Sequence, residues 1–313
     1  MKTIKKKIIL HADDLGLSLS FNEGIIVASQ KGYLTSTCIR VNGAAYQHAI
    51  KEVIPKIPHI GIGLHLNIVE GKSNRTNIKS NEILCQLDGK YRLGFFNLFR
   101  KRKCPQLLAE IEADFRNQIE IVLSDLNYVD HLNSHQHSHG ISEIFDLVCR
   151  LAKEYGIPYV RLPRERFYKV SANHQSYGFW YLLNILKWII LNLFSYRNSK
   201  IAQQYNIKVP DWFVGILYTG HMSIGSILNG IKRIQREGKV VEVLLHPAKP
   251  ILTKDEIFLN GDVRDYVLCP YRKQELETLI NPFLKKKFDT NGWDLCNFSD
   301  LVNQPKTIIP NTK

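Results

Sequence analysis

The chain has 313 residues, 44% hydrophobic and 23% charged, with 19 Gly and 12 Pro. That composition excludes collagen, coiled coil and wholesale disorder, and the length fits one large α/β unit. Forty-two Lys and Arg against 29 Asp and Glu give a formal charge of +13, which favours anionic surfaces without naming a partner.

The basic start, Met1 to Lys7, precedes only Ile8-Ile9-Leu10 before His11-Ala12-Asp13-Asp14, so no export signal is read and a cytoplasmic location is expected. Residues 5 to 12 read as a buried strand that stops at two carboxylates. Ser20-Phe21-Asn22-Glu23 has the form of a capping box, opening a helix that Gly32 would close. Strands follow at 36 to 41 and 59 to 67. In the latter, Ile60, Ile62, Leu64 and Leu66 share one face, while Gly61, Gly63, His65 and Asn67 share the other. The glycines are expected to leave room beside His65. Residues 68 to 104 read as a long loop, 105 to 124 as a helix and 128 to 133 as a strand. A helix then runs to Gly156, with strands at 157 to 162, 214 to 218 and 240 to 245. Residues 250 to 275 read as a loop and 306 to 313 as a loose tail. Alternating strands and helices of this kind predict a parallel sheet with helical crossovers, and no composition shift divides the chain. The six cysteines (38, 85, 104, 149, 269 and 296) form no CxxC pair, so neither a disulfide framework nor a zinc ribbon is expected.

The residues with chemistry to offer fall where strands end, which is where parallel α/β folds collect catalytic groups. Asp13 and Asp14 close the first strand, His65 lies near the end of the third, and His246 ends a late one. His131, His135, His137 and His139 share one parity, so any extended part projects them to one side. Taken singly, each has an ordinary reading. Paired carboxylates often cap a turn, a strand histidine is often a satisfied core residue, and Arg161 could be a surface cation. Taken together, a carboxylate and two imidazoles make a facial metal set with positions left open, while neighbouring Asp and His can take and return a proton. The chemistry narrows to metal-assisted hydrolysis.

The segments Ile9-Leu10-His11-Ala12-Asp13-Asp14-Leu15-Gly16, Thr35-Ser36-Thr37 with Val41-Asn42-Gly43, Gly61-Ile62-Gly63-Leu64-His65-Leu66-Asn67, the run from Asp130 to His139, and Leu245-His246-Pro247-Ala248 resemble the YdjC-like carbohydrate deacetylases of the ChbG/HpnK type. The resemblance runs from about residue 6 to 275. It implies a distorted (β/α) barrel, a divalent metal and hydrolysis of an N-acetyl group on an amino sugar, with a chitooligosaccharide-like compound as one substrate. Carried over residue by residue, it makes Asp14, His65 and His135 the metal ligands, Asp13 the base, His246 the acid and Arg161 the orienter of Asp13. Magnesium is the ion the resemblance favours, and Zn, Mn and Co are also compatible with oxygen-plus-imidazole ligation. Asn133 departs from the pattern, which usually has an aspartate there. Loss of that charged acceptor is expected to weaken the metal site or alter its preference.

Residues 177 to 194 form an apolar helical insertion within a single domain, 1 to 313. Leu182, Leu183, Leu186, Ile189, Ile190 and Leu193 make its stripe, and Asn184, Lys187 and Asn192 interrupt it. Lys187 disfavours a true span. The stripe needs cover, so a homodimer through this helix is expected, with peripheral membrane contact as the alternative. Gly94 to Phe99 followed by Arg100-Lys101-Arg102-Lys103 reads as an aromatic-then-basic loop able to face anionic lipid. The alternatives to a soluble amino-sugar deacetylase are a deacetylase of a lipid-linked glycan and a catalytically silent metal- or sugar-binding barrel. No nucleic-acid partner is expected, because no recognition motif accompanies the charge.

Overall fold

The computed structural model describes residues 6–171, 177–235, 239–251 and 261–301. Eight parallel strands form one curled sheet: β1 (Lys6–Leu15), β2 (Ser36–Ile39), β3 (Gly61–Leu66), β4 (His131–Ser134), β5 (Tyr159–Val160), β6 (Trp212–Val214), β7 (Val240–Leu245) and β8 (Trp293–Leu295). Their order is β5-β4-β3-β2-β1-β7-β6, and β8 pairs with the first residues of β1. Among the described residues β5 and β6 do not pair, so the sheet is a half-barrel with helices around it, the distorted barrel expected.

Strand alternation sorts side chains into two layers. Ile8, Leu10 and Ala12 of β1 join the main core beneath the surrounding helices, with Ile62, Leu64, Val241 and Val243. The alternate positions point into the concave side. At its floor Ile9, Tyr159 and Phe298 make a small apolar cluster. Above it, the His11 and His131 rings meet edge to face at 4.9 Å, with Phe298 stacked on His131 at 4.1 Å. Higher still, the interior becomes polar and buried, with Asp13, Cys38, His65, Asn133 and Arg161. Burying so many polar groups is costly unless each is partnered, and here they partner one another.

Several local expectations change. β1 does not stop at the carboxylates but runs through them to Leu15, with a register break against β2 between Ala12 and Leu15. Asp14 takes the left-handed conformation (φ 71°), which aspartate tolerates better than most residues. The first helix, Leu19–Gln30, is capped by Ser18, whose hydroxyl accepts from Phe21 N. Gly32 is needed for close approach and not for a left-handed turn: a Cβ there would lie 2.8 Å from Leu279 O. Gly63 makes room for the His131 ring and not for His65, because its missing Cβ would lie 2.3 Å from that imidazole.

The sixth strand is Trp212–Val214, earlier than expected. The region read as a loop from 68 to 104 contains the helix Phe95–Lys101, and the one from 250 to 275 holds Gly261–Leu268 and the start of Pro270–Ile280. The tail at 306 to 313 lies outside the described residues. The four histidines do not share a side. β4 ends at Ser134, and Gln136 and His137 turn left-handed, so the run coils into a tight 3₁₀-like turn, His135–Gly140.

Candidate metal centre and proton-transfer groups

The register break in β1 points the two carboxylates into different neighbourhoods. Asp13 lies deep in the concave interior. Arg161 grips it from both terminal nitrogens at 2.8 Å, while the guanidinium Nε donates to Glu242 at 2.7 Å. Oδ1 of Asp13 also accepts from Asn133 Nδ2 at 3.1 Å and Cys38 Sγ at 3.2 Å, and His11 Nε2 stands 3.1 Å away. Among the described residues Oδ2 accepts from Arg161 alone. Burial by itself would raise this carboxyl, but Arg161, His65 and His11 hold it well below the usual carboxylate range.

Asp14 faces the histidines. Its Oδ1 lies 3.6 Å from His65 Nε2 and 3.6 Å from His135 Nδ1, and those two nitrogens are 3.4 Å apart. Oδ2 accepts the Tyr266 hydroxyl at 2.9 Å, whereas buried Oδ1 has no hydrogen-bond partner among the described residues. Ligands about 2.0–2.2 Å from one ion stand roughly 3.0–3.6 Å apart, so this triangle fits a single divalent cation. The orphaned oxygen aimed into it is the atom such an ion would satisfy.

The imidazoles are prepared for that task. Asn133 donates to Asp13, so its Oδ1 is the acceptor facing His65 Nδ1 at 2.7 Å, which leaves His65 Nε2 with its lone pair toward Asp14. Burial drives His65 down to about 4, partly offset by Asp13 and Asp14, so the ring is neutral near pH 7. Burial opposes the charged form of His135, but the carboxylates of Asp14 and Glu70 outweigh it and raise the imidazole, the Glu70 carboxylate lying 3.0 Å from Nε2. Glu70 in turn takes Arg40 at 3.0 Å.

A second group, His11, Asp13 and Cys38, is also compact. There the carboxylate is already neutralised by Arg161, and burial raises the Cys38 thiol well above its ordinary value. A cation is therefore better served by Asp14, His65 and His135.

His246, at the end of β7, is buried with Nδ1 lacking a hydrogen bond among the described residues, and its ring meets Tyr266 edge to face at 6.2 Å. Its backbone N–H donates to Glu275, whose carboxylate also stands 3.6 Å from Nδ1. Tyr266 thus bridges the Asp14 and His246 sides. The other three histidines of the 131–139 run are elsewhere. His131 binds Asp130 at 2.6 Å below the site, and His139 lies between Ser134 Oγ and Arg161 O, at 2.6 and 3.0 Å. His137 packs on Phe213. Thus the structure gathers Asp13, Asp14, His65, His135 and Arg161, with His246 joined through Tyr266. Glu70, Tyr266, Glu275 and Cys38 carry no pattern in the sequence that singles them out, because each reaches the site from a separate segment.

The description "YdjC-like protein" covers the family model that matches residues 7–290. A chitooligosaccharide deacetylase of Proteus mirabilis (strain HI4320) is 25% identical over 300 residues, covering 94% of this chain and 98% of that protein. A carbohydrate deacetylase of Clostridium beijerinckii is 24% identical, covering 94% and 100%. Among solved structures, a protein of Enterococcus faecalis V583 named for cellobiose-phosphate cleavage superposes with a TM-score of 0.69 at 22% identity, covering 95% of this chain and 99% of that one, a likeness of fold. With the family model spanning nearly the whole chain, through β1 and the helix Pro282–Thr290, the protein belongs to the YdjC-like family.

Proposed function

We propose that the protein is a metal-dependent carbohydrate deacetylase that hydrolyses the acetamide of an N-acetylated amino sugar. The observation carrying this reading is the triangle of Asp14, His65 and His135 around an orphaned carboxylate oxygen, beside the Arg161-gripped Asp13. The deacetylase relatives support the substrate class. Asp14, His65 and His135 would hold the ion, which supplies Lewis acidity to the acetyl carbonyl oxygen and to water.

The protein's own groups divide the proton work. Asp13 takes the proton of the attacking water on Oδ2, since Oδ1 is crowded with donors. Arg161 and Asn133 fix that carboxylate's orientation, so no conformational search precedes attack. His246 returns a proton to the sugar nitrogen as the C–N bond breaks, and acetate and the free amine leave. Glu275 keeps the imidazole in place through the His246 backbone and the facing carboxylate. The catalytically silent alternative lacks the support that a missing group would lend it, since Asp13, Asp14, His65, His135 and His246 are all present. The ion is taken as magnesium on the family resemblance, with Zn, Mn and Co able to use the same donors.

The test is mass spectrometry of N-acetylated oligosaccharides and glycolipids incubated with the purified protein and each metal. Loss of one acetyl group is the expected outcome. No deacetylation of any compound with any of the four metals, in folded protein that binds metal, overturns the reading in favour of a silent barrel.

A further inference from the structure

The helix Phe179–Tyr205 is inverted for a surface helix over its first half, where the polar side chains face the protein; further along, Arg197, Lys200, Gln203 and Gln204 are exposed. Asn184 donates to the Leu217 and Thr219 carbonyls, Trp188 Nε1 to Glu165 O, and Asn198 to Gly140 O. Lys187 is turned onto the Phe95 ring at 5.1 Å, with its ammonium pushed down to about 8 by burial. Ile190 is turned inward too, at 9% exposure, although the sequence pattern assigns it to the outer stripe. What faces outward is Phe179 (74% exposed), Leu182 (61%), Leu186, Ile189, Leu193 (75%) and Tyr196. At 1.5 Å per residue this stripe is about 26 Å long. Such an exposed apolar surface is unusual on a soluble monomer and marks an interaction face.

Charge tells which partner fits. The helix Phe95–Lys101 packs alongside, with Phe99 and Phe194 rings 6.0 Å apart, and it leads into exposed Arg100, Lys101 and Lys103. Lys200 continues the cationic border at the other end of the stripe. None of these four has a carboxylate within 4 Å among the described residues, whereas Arg102 and Arg197 share Glu143 at 3.6 and 3.5 Å. No Asp or Glu occurs from residue 89 to 109 or from 166 to 210. In a two-fold dimer through this face, the same cations would confront one another. An anionic bilayer offers both complements, acyl chains for the stripe and phosphate for its border.

We propose that this face docks the protein peripherally on an anionic lipid surface. A helix of this length and composition could cross a membrane, but its inner face is committed to hydrogen bonds with the protein body, so it lies along the surface. That inner face touches the His135–Gly140 turn and the segment after β6, so the docked helix lies at the end of the sheet that carries the metal triangle. Resting on the deacetylase reading, this placement makes the substrate class an N-acetylated sugar carried on a lipid. The docking surface itself does not depend on that reading.

The experiment is vesicle flotation of the full chain, with vesicles of phosphatidylcholine alone or mixed with phosphatidylglycerol. The expected result is flotation with the mixed vesicles, at least tenfold less with phosphatidylcholine alone, and loss of flotation in the L186E/L193E double variant. Both positions are exposed, and unchanged circular dichroism and metal content show that the variant folds. Replacing Arg100, Lys101 and Lys103 with Gln is expected to weaken flotation and its salt sensitivity together. Absence of flotation on anionic vesicles, whatever the catalytic activity, overturns the proposal. A vesicle-indifferent dimer that L186E/L193E converts to monomer overturns it in favour of a second copy.

Discussion

Arg161 grips Asp13 with two hydrogen bonds of 2.8 Å across 148 positions of sequence. The pair is buried, so the guanidinium does two things at once. It fixes the carboxylate in one orientation, and it stabilises the charged form that can accept a proton.

Weakening the grip should therefore move the pH dependence. With Asp13 as the proposed base, turnover would need it ionised, and its carboxyl is held low by Arg161. Arg161→Lys keeps a charge beside Glu242 but loses the fork. The acidic limb of the kcat/KM profile is expected to shift upward by about one pH unit. A limb that stays in place, with turnover still measurable, removes Asp13 from that limb.

Base and acid should separate from metal binding. Asp13→Asn and His246→Gln each leave the Asp14, His65 and His135 donors intact. Turnover is expected to fall by roughly 10²-fold or more in each, with metal content unchanged by elemental analysis. Near-normal turnover in either variant excludes that residue from its role.

His65→Ala and His135→Ala each remove a corner of the triangle. Metal content after dialysis is expected to drop at least about tenfold in both. Full occupancy in both variants would reject this ligand set and direct attention to His11, Asp13 and Cys38.

Asn133→Asp should have opposite effects on the empty and loaded protein. A carboxylate there faces His65 Nδ1 and sits beside Asp13. Metal-free stability is expected to fall by roughly 1–3 kcal/mol through buried like charge. Metal affinity is expected to rise about tenfold through a more basic His65. Calorimetry and metal titration read the two effects separately, and weaker metal binding would contradict the second.

Lys187 offers a check on the inverted helix. Burial lowers its ammonium from 10.5 to about 8, so charge is disfavoured in the folded chain. Lys187→Met should stabilise the protein at pH 7, by on the order of 1–3 kcal/mol. As pH rises from about 8 to 10.5 the unfolded chain still holds the proton that the folded chain has released, so the native protein gains stability and the gap closes. Denaturant midpoints at pH 7 and pH 10 measure it, and a gap that does not change with pH would place the ammonium in water.

Strand alternation in Gly61 to Leu66, the βα rhythm and the pairing of Asp13 with Asp14 were legible because each is local, set by side-chain period and backbone geometry. Those patterns reached only a carboxylate and two imidazoles at strand ends; the family resemblance picked out Asp14, His65 and His135, and the structure brings their three atoms within 3.6 Å of one another. The tertiary structure decided what periodicity cannot carry. Parity placed His131, His135, His137 and His139 on one side, but left-handed Gln136 and His137 break the extended path on which parity depends. Gly63 looked like space for its neighbour His65 and instead admits His131 from the adjacent strand. Glu70, Tyr266 and Glu275 enter from separate segments, and only chain folding makes them neighbours of Asp14, His135 and His246. The apolar stripe from Leu182 to Leu193 was visible as a period. That it points outward depended on where Asn184, Trp188 and Asn198 found carbonyl partners, because buried polar groups must be satisfied before an apolar face can choose its side.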